Sequence, residues 1–262
     1  MILEQIVDVK KREVEQLQVE MSYKAFEQII AHLPPALGFQ QSLLRRNRNH
    51  MGLIAEVKKA SPSKGIIRAD FQPQEIARAY QIAGADCLSV LTDADHFQGS
   101  NDYLRMVRKT VSIPLLRKDF TIHPLQIYEA RAIGADAILL IAAILNKQQL
   151  KEYIEVAIDL GLDVLVEVHD RAELENVLEL DIQMIGINNR DLRTFITDLK
   201  VTEQLMMYIP DHYLIVSESG ISAPQHITYL QTMGVQAILV GEHFMRQPDV
   251  SLAVNQLMGV RV

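Results

Sequence analysis

The feature that most constrains the fold of this chain is an internal repeat of a helix end, a glycine and a short apolar run. The segment at 83–91 reads AGADCLSVL, and it recurs at 133–141 as IGADAILLI. Weaker copies begin at Leu160 and Met233. A glycine after a helix-periodic segment, followed by a continuous apolar run, is typical of a helix that leads into a strand buried on both faces. The repeat therefore predicts buried strands that alternate with helices.

Eight apolar runs of this kind occur along the chain, and amphipathic segments with helical spacing lie between them. The predicted strands are Leu53–Val57, Cys87–Leu91, Ile113–Leu116, Ala137–Ile141, Val164–Val166, Met184–Ile187, Tyr213–Val216 and Ala237–Val240. The predicted helices are 73–83, 101–109, 124–133, 147–160, 171–180, 198–208, 224–233 and about 247–258. Strict alternation favours a parallel sheet with right-handed crossovers, and no G-x-G-x-x-G motif follows the first strand. Eight units in 262 residues therefore predict one closed (β/α)8 barrel, the TIM barrel of the α/β class.

Residues 1–47 precede the first predicted strand and are interpreted as an N-terminal helical arm. One side of its first helix is apolar and carries Leu3, Ile6, Val7, Val14 and Leu17. A second helix is predicted from about Ser22 and ends before Pro34. We therefore expect a single barrel domain over residues 1–262, of which 1–47 is a helical extension whose apolar stripe must be buried.

The charge of the chain argues against two classes of partner. With 26 Lys and Arg against 33 Asp and Glu, the formal net charge is −7, so neither nucleic acid nor a membrane is expected as a partner. A basic cluster at Arg45, Arg46 and Arg48 is therefore interpreted as a solvated loop. The apolar stretch at 137–146 is only about half as long as a bilayer span of roughly 20 residues.

The cysteine and histidine content limits redox and metal chemistry. The only cysteine is Cys87, so no disulfide within the chain and no cysteine-based metal cage can form. We predict that Cys87 is a small core residue and that the protein lies in the reducing cytoplasm. No metal or cofactor is predicted, because zinc-site spacing is missing among His123, His169, His212 and His226.

Polar side chains end several of the predicted strands, at the face where TIM barrels carry their active sites. These residues are Glu56, Lys58, Lys118, Glu167, Asn188, Arg190 and Glu218. Burying isolated charges at one rim would cost several kcal/mol each, so these groups must be paired with one another or matched to a ligand. A structural ring of salt bridges is the alternative. We favour a site, because Asn188 and Arg190 beside two lysines provide more donors than a plug requires.

Two glycine-containing loops point to a phosphate. Ser219 and Gly220 follow the seventh predicted strand, and Gly241 and Glu242 follow the eighth. In many barrels these two loops hold a phosphate, because glycines let backbone N–H groups approach it closely. The polar loop at 60–65 follows Lys58, and the sequence leaves open whether it is a mobile lid or a solvated loop.

Ordered motifs along the barrel resemble those of the indole-3-glycerol phosphate synthase family. They lie at 54–65 (IAEVKKASPSKG), 89–93, 97–100, 118–120, 167–169, 187–192 and 217–221. The resemblance covers residues from about 50 to 245, and the helical arm is also similar to that of the family. Arg117 and His243 depart from the residues usual in the family.

The resemblance implies a reaction and a role for each site residue. The family closes the pyrrole ring of 1-(2-carboxyphenylamino)-1-deoxyribulose 5-phosphate, losing CO₂ and water, to give indole-3-glycerol phosphate for tryptophan synthesis. It implies Lys118 as the general acid at the ribulose carbonyl, Glu167 as acid and base in the later dehydration, and Lys58 as an assisting group. It also implies Glu56, Asn188 and Glu218 as catalytic, with Ser61, Phe97, Phe120, Leu139, Arg190 and Leu192 binding substrate and Ser219, Gly220, Gly241 and Glu242 binding phosphate.

Three alternatives stand beside this interpretation. Phosphoribosylanthranilate isomerase is also a phosphate-binding barrel, but it has a catalytic cysteine at the end of its first strand, where this chain has Glu56, Val57 and Lys58. A Schiff-base aldolase using Lys118 and a catalytically silent sugar-phosphate sensor are the other two. We expect a small sugar phosphate as the ligand and a monomer, and leave open weak association with other tryptophan-pathway enzymes.

Overall fold

The computed structural model describes residues 2–44, 51–191 and 193–259. Eight parallel strands form a closed barrel in which each strand pairs with the next and the last pairs with the first. The strands are β1 (Gly52–Val57), β2 (Cys87–Leu91), β3 (Leu115–Lys118), β4 (Ala137–Ile141), β5 (Asp163–Val168), β6 (Met184–Asn188), β7 (Leu214–Glu218) and β8 (Ala237–Val240). The predicted TIM barrel is therefore confirmed.

Helices follow the barrel strands, and three further helices precede β1. In chain order the helices are α1 (Ile2–Glu20), α2 (Tyr23–Ile30), α3 (Phe39–Leu44), α4 (Pro73–Ile82), α5 (Asn101–Arg108), α6 (Pro124–Ala132), α7 (Lys147–Asp159), α8 (Arg171–Val177), α9 (Lys200–Met206), α10 (Pro224–Thr232), α11 (Glu242–Met245) and α12 (Val250–Met258). A 3₁₀ turn spans Ala142–Ile144, and a short antiparallel hairpin pairs Ala60–Ser61 with Gly65–Ile66.

The predicted elements agree with the observed ones except at their ends. The third strand begins at Leu115 rather than Ile113, because Pro114 has no backbone N–H to donate to a strand ladder. The last helix begins at Val250, because the Asp249 side chain accepts the backbone N–H of Leu252 and caps the helix there. The helix α3, the hairpin and the short α11 were not predicted.

The polar residue of three of the four repeats ties neighbouring strands together, whereas Asp163 of the third accepts the backbone N–H of Gln40 in the arm at 2.9 Å. The Asp86 carboxylate accepts the backbone N–H of Leu53 at 2.9 Å, and Asp136 accepts that of Leu115 at 2.8 Å. In the weaker fourth copy, Gln236 accepts the N–H of Ile215 at 2.8 Å. The glycine has a separate role: Gly134 has a φ of +97°, and a Cβ there would lie 2.9 Å from the Arg108 side chain. In these three copies the repeat therefore encodes a helix end followed by a link to the preceding strand.

The N-terminal arm contacts both ends of the barrel. Helix α1 lies at the C-terminal end of the strands, and Leu3 and Ile6 line the cavity there. The side chains of α3 fill the opposite end, where Phe39 is fully buried in one cluster with Ile54 and Leu116. Between them α2 packs on α6, with the rings of Tyr23 and Tyr128 5.0 Å apart.

The apolar stripe predicted for α1 is only partly buried. Ile6 and Val14 are buried, whereas Leu3, Val7 and Leu17 are half-buried. The predicted end of the arm at residue 47 and the arginine cluster at Arg45, Arg46 and Arg48 lie outside the described residues.

The apolar core has an inner layer within the barrel and an outer layer between the strands and helices. Cys87 is fully buried in the inner layer, which confirms the prediction that it is a core residue. Across the described ranges, no helix is both long and apolar enough to cross a membrane.

Candidate active site

A cavity of about 450 Å³ opens at the C-terminal end of the barrel strands. The predicted site residues that line it are Glu56, Lys58, Ser61, Phe97, Lys118, Phe120, Leu139, Glu167, Asn188, Arg190, Glu218, Ser219, Gly220, Gly241 and Glu242. Leu192, the remaining predicted site residue, lies outside the described residues. The structure therefore brings together residues that are up to 186 positions apart, from Glu56 to Glu242.

The ammonium group of Lys118 lies at the centre of the charged residues. Its Nζ is 3.0 Å from Glu167 Oε2 and 3.5 Å from Glu218 Oε2. Burial alone would lower the pKa of Lys118, but the neighbouring carboxylates outweigh burial and raise it well above its ordinary value. Lys118 is therefore a protonated donor at neutral pH.

Glu167 is held ionised by donors on several sides. Burial alone would raise its pKa, but Lys118 and His169 lower it below the usual range. Asn188 Nδ2 donates to Glu167 Oε1 at 3.2 Å, and His169 Nε2 lies 3.3 Å from the same oxygen. The carboxylate is thus fixed in position and in charge.

Glu218 has the opposite character. Burial raises its pKa to about 8, against the effect of Lys118 and with the help of the Glu167 and Glu56 charges. In the described part of the chain its Oε1 atom is buried without a hydrogen-bond partner. Gly186 makes room for this side chain, because a Cβ there would lie 2.4 Å from Glu218 Oε1. Two carboxylates beside one lysine therefore differ in protonation.

Glu56 and Lys58 form a second pair on β1 and just beyond it. Lys58 Nζ lies 2.5 Å from Glu56 Oε1. Gly241 packs directly against this carboxylate, since a Cβ at that position would lie 2.3 Å from Glu56 Oε1. Gly241 therefore leaves space for the Glu56 side chain.

Arg190 links the loop after β1 to the loop after β8. Its guanidinium donates to Ser63 Oγ at 2.9 Å and to Glu242 Oε2 at 3.1 Å. The sequence left open whether the polar loop after β1 is a mobile lid or a solvated loop. In the structure this loop forms the hairpin at 60–66. Ser61 is buried at its base, and its Oγ has no hydrogen-bond partner among the described residues.

The loop after β7 has an unusual backbone conformation. Ser219 and Gly220 have φ values of 68° and 80°, both in the left-handed region. A side chain at Gly220 would also meet Thr197 Cγ2 at 2.5 Å. Nearby, His243 packs against Phe244, and burial lowers the pKa of its imidazole.

The apolar side of the cavity is aromatic. The ring centroids of Phe97 and Phe120 are 5.9 Å apart at an interplanar angle of 37°. Leu139 lines the cavity beside them, and Leu3 and Ile6 of α1 complete its apolar lining. A flat hydrophobic group fits this wall better than a polar one.

The roles of His169 and of α1 at the cavity were not predicted from the sequence. His169 lies two positions after Glu167, so both side chains point to the same face, and that spacing could have identified it. No spacing rule would have predicted that α1 lies at the cavity, because this depends on tertiary packing. Within the described ranges, no cluster of three His, Cys, Asp or Glu side chains could hold a metal ion.

Comparisons with known proteins agree on one family. A family model described as indole-3-glycerol phosphate synthase matches residues 3–257. The protein of that name from Acinetobacter baylyi is 48% identical over 260 residues, covering 99% of this chain and 96% of that protein. The one from Azospirillum brasilense is 46% identical over 258 residues, covering 98% of each.

Solved structures support the barrel fold alone, because their sequence identities are low. The 3-hexulose-6-phosphate synthase of Salmonella typhimurium matches with a TM-score of 0.65 at 13% identity, covering 80% of this chain and 98% of that one. A mutant tryptophan synthase alpha-subunit of Pyrococcus furiosus matches with a TM-score of 0.61 at 15% identity, covering 80% of this chain and 98% of that one.

Proposed function

This chain belongs to the indole-3-glycerol phosphate synthase family, and we propose that the residues around its barrel mouth carry out the family's reaction in the roles given below. The chain is a carboxy-lyase of tryptophan biosynthesis that acts on a small phosphorylated substrate. The reaction closes a pyrrole ring on 1-(2-carboxyphenylamino)-1-deoxyribulose 5-phosphate and releases CO₂ and water, leaving indole-3-glycerol phosphate.

The observation that carries the proposed mechanism is the charged, buried ammonium of Lys118 between Glu167 and Glu218. Ring closure needs an electrophilic carbonyl carbon, and a proton donor at the carbonyl oxygen provides it. A lysine that stays protonated in a low-dielectric cavity can donate to that oxygen without a metal ion. Lys118 is therefore the general acid of the first step.

Glu167 acts in the later dehydration. Its carboxylate is ionised at rest and can take a proton from the intermediate, then return one to the leaving hydroxyl, which departs as water. Asn188 keeps it in position, and Glu56 does the same for Lys58 through their ion pair. Lys58 faces the anionic parts of the substrate, and Glu218 completes the polar ring.

The cavity lining supports one orientation of the substrate. The phosphate binds at the loops that carry Ser219, Gly220, Gly241 and Glu242, mainly through backbone N–H groups. The aromatic ring of the substrate packs on Phe97, Phe120 and Leu139, and Leu192 joins this wall in the proposal. Ser61 and Arg190 bind the polar groups between the two ends.

The charge state of Lys118 disfavours the Schiff-base alternative. An aldolase lysine must be neutral to attack a carbonyl carbon, and such lysines have a lowered pKa. The pKa of Lys118 is raised, because the surrounding carboxylates outweigh its burial. An isomerase that needs a cysteine at the end of β1 is disfavoured as well, since Cys87 lies in the inner core at the start of β2.

The cellular setting remains a prediction from the sequence. The single buried cysteine supports a cytoplasmic location, and the formal net charge of −7 argues against nucleic acid or a membrane as a partner; a monomer is expected. Weak association with other enzymes of the pathway is the open alternative.

A turnover assay tests the proposed function. The chain contains no Trp, so indole fluorescence from the product rises over a background of tyrosine alone. We expect fluorescence to increase on addition of the carboxyphenylamino substrate and to persist in the presence of a chelator. Absence of a signal from the folded protein would contradict the assignment, and a borohydride-trapped adduct on Lys118 would favour the aldolase.

A further inference from the structure

A buried lysine of the N-terminal arm has no role in the mechanism above. Lys10 lies on α1, and its side chain is 1% exposed. Its Nζ is 2.9 Å from Asp93 Oδ2, 2.9 Å from Asp119 Oδ1 and 2.7 Å from Glu13 Oε2. Burial alone would lower the pKa of Lys10, but these carboxylates raise it above its ordinary value, so the ammonium remains charged. Buried lysines need such partners, because an unpaired buried charge is strongly unfavourable.

Asp93 organises the loop after β2. Its Oδ1 accepts the backbone N–H of His96 at 2.9 Å and that of Phe97 at 3.1 Å. Its backbone carbonyl accepts the N–H of Gly99 at 2.7 Å. No hydrogen bond from the described residues reaches Asp93 Oδ2, so the ammonium of Lys10 compensates the charge on that oxygen. The conformation that presents Phe97 to the cavity is thus fixed through Asp93.

Asp119 has the corresponding position after β3. Its Oδ1 accepts the backbone N–H of Phe120 at 2.8 Å and also pairs with Lys10. Its Oδ2 contacts Thr92 and Arg117, and Arg117 is held in turn by Glu129 at 2.7 Å. The departure from the family at Arg117 is therefore accommodated by Glu129. Asp119 fixes Phe120 as Asp93 fixes Phe97.

The two loops are joined where their carboxylates share one ammonium, where the Thr92 hydroxyl donates to Asp119 Oδ2, and where their rings face each other across 5.9 Å. We propose that Lys10 is a positioning residue that joins the loops carrying Phe97 and Phe120 and so sets the aromatic wall for the ring of the substrate. The inference rests on the proposed function, which assigns that wall to the aromatic ring. The arm then contributes an ion-pair link to the site in addition to its apolar cover.

The proposal predicts a selective loss of binding to the ring. Lys10→Met removes the shared charge and leaves Asp93 Oδ2 uncompensated, so the loop carrying Phe97 should shift relative to the loop carrying Phe120, although Thr92 still contacts Asp119. We expect KM for the substrate to rise at least about tenfold while kcat falls less than about threefold, since the wall binds ground and transition states alike. The affinity for indole-3-glycerol phosphate should fall in parallel. The affinity for glycerol 3-phosphate, which has no ring, should stay within about twofold.

Product fluorescence, KM and kcat are measured for the full-length chain, with glycerol 3-phosphate as a competitor. Lys11→Met is the matched control, because Lys11 is the next residue on α1 but its side chain is 61% exposed and pairs only with Asp8 among the described residues. Lys11→Met should leave KM, kcat and the affinities for indole-3-glycerol phosphate and glycerol 3-phosphate unchanged. If the wild-type chain forms no product, the proposed function fails. If the wild-type chain does form product, the kinetics of the Lys10 variants alone decide whether Lys10 positions the aromatic wall.

Two results would overturn the inference. One is a folded Lys10→Met protein with wild-type KM. The other is equal weakening of glycerol 3-phosphate and indole-3-glycerol phosphate, which would indicate a general loss of structure. Should Lys10→Met fail to fold, Lys10→Arg decides, because a planar guanidinium cannot hold the two carboxylates at the same separation. We then expect KM to rise at least about threefold with glycerol 3-phosphate affinity unchanged, and a wild-type KM would count against the inference.

Discussion

The charged side chains around the cavity divide into donors that stay protonated and carboxylates of unequal acidity. Lys118 contacts both Glu167 and Glu218, yet the pKa of Glu167 is lowered while burial raises that of Glu218 to about 8. The difference follows from the partners: His169 and Asn188 both approach Glu167. Groups of unequal pKa beside one another are the usual arrangement for acid and base roles in one site.

The role of Lys118 predicts a large kinetic defect without unfolding. Lys118→Met should lower kcat at least about 100-fold, because general acid catalysis contributes about 10²–10⁴-fold. Lys147→Met, at an exposed lysine on α7, is the control and should leave kcat unchanged. Circular dichroism checks that both variants are folded. An unchanged kcat for the Lys118 variant would remove it from the mechanism.

His169 predicts a pH-dependent contribution to stability. Burial alone would lower its pKa, but Glu167 and Glu173 raise it from 6.5 to about 10. The stabilisation by the charged imidazole is therefore fully present below about pH 6.5 and is lost as the pH rises through about 10. The difference in free energy of unfolding between wild type and His169→Gln should shrink over that range.

Urea denaturation at pH 6, 8 and 10 measures this difference. The exposed His32 offers a control, since His32→Gln should show no such trend. A difference for His169→Gln that stays constant with pH would mean that the imidazole is uncharged in the folded protein.

The sequence predicts residues of the site better than it predicts their partners. Strand ends and the family motifs identify Glu56, Lys118 and Glu218, because a barrel brings all strand ends to one rim. Lys10 was not predicted, although it lies four residues from both Ile6 and Val14 on the apolar face of α1, because a lysine is rarely buried unless it is paired. Its burial depends on two aspartates from distant loops.

Among the helices and strands, the repeat and the other short apolar runs explain why eight strands were predictable. A helix end, a glycine and a polar residue before four of the strands is a local signal, and in three of them the polar residue accepts an N–H from the preceding strand. The end of a strand depends on single residues such as Pro114, so boundaries shift by a few positions. Helix α3 escaped prediction because it is six residues long and is stabilised by the barrel that it closes.

The packing of α3 predicts a stability defect away from the active site. Phe39→Ala should destabilise the fold by about 3–5 kcal/mol, because Phe39 is fully buried at the end of the barrel opposite the cavity. Leu44→Ala on the same helix is the control, since Leu44 is 54% exposed. KM should be unchanged in both. A small effect of Phe39→Ala in chemical denaturation would mean that α3 does not close the barrel.

At the scale of the whole molecule, the arm and the barrel are proposed to form one unit. The arm covers the active-site end with α1 and fills the other end with α3, so neither end of the barrel core is complete without it. The single-domain interpretation over 1–262 rests on this arrangement. The alternative is that the arm is a detachable segment, whose removal would leave the barrel intact.

Removing residues 1–47 distinguishes these possibilities. We expect the shortened chain to lose activity and to bind a hydrophobic dye, because Ile54 and Leu116 lose the cover of Phe39 and the cavity loses Ile6. Thermal denaturation and steady-state kinetics measure the two effects. Full stability with an unchanged KM would support a detachable arm.

Lys118 and Glu167, paired across 3.0 Å, are proposed to act in successive steps of one reaction. A single-turnover experiment on Glu167→Gln tests this division of roles, with CO₂ release and indole fluorescence recorded on the same sample. We expect CO₂ to be released at nearly the wild-type rate while indole fluorescence lags by at least about 100-fold, because only the dehydration needs Glu167. Simultaneous slowing of both signals, or of neither, would contradict the division of roles.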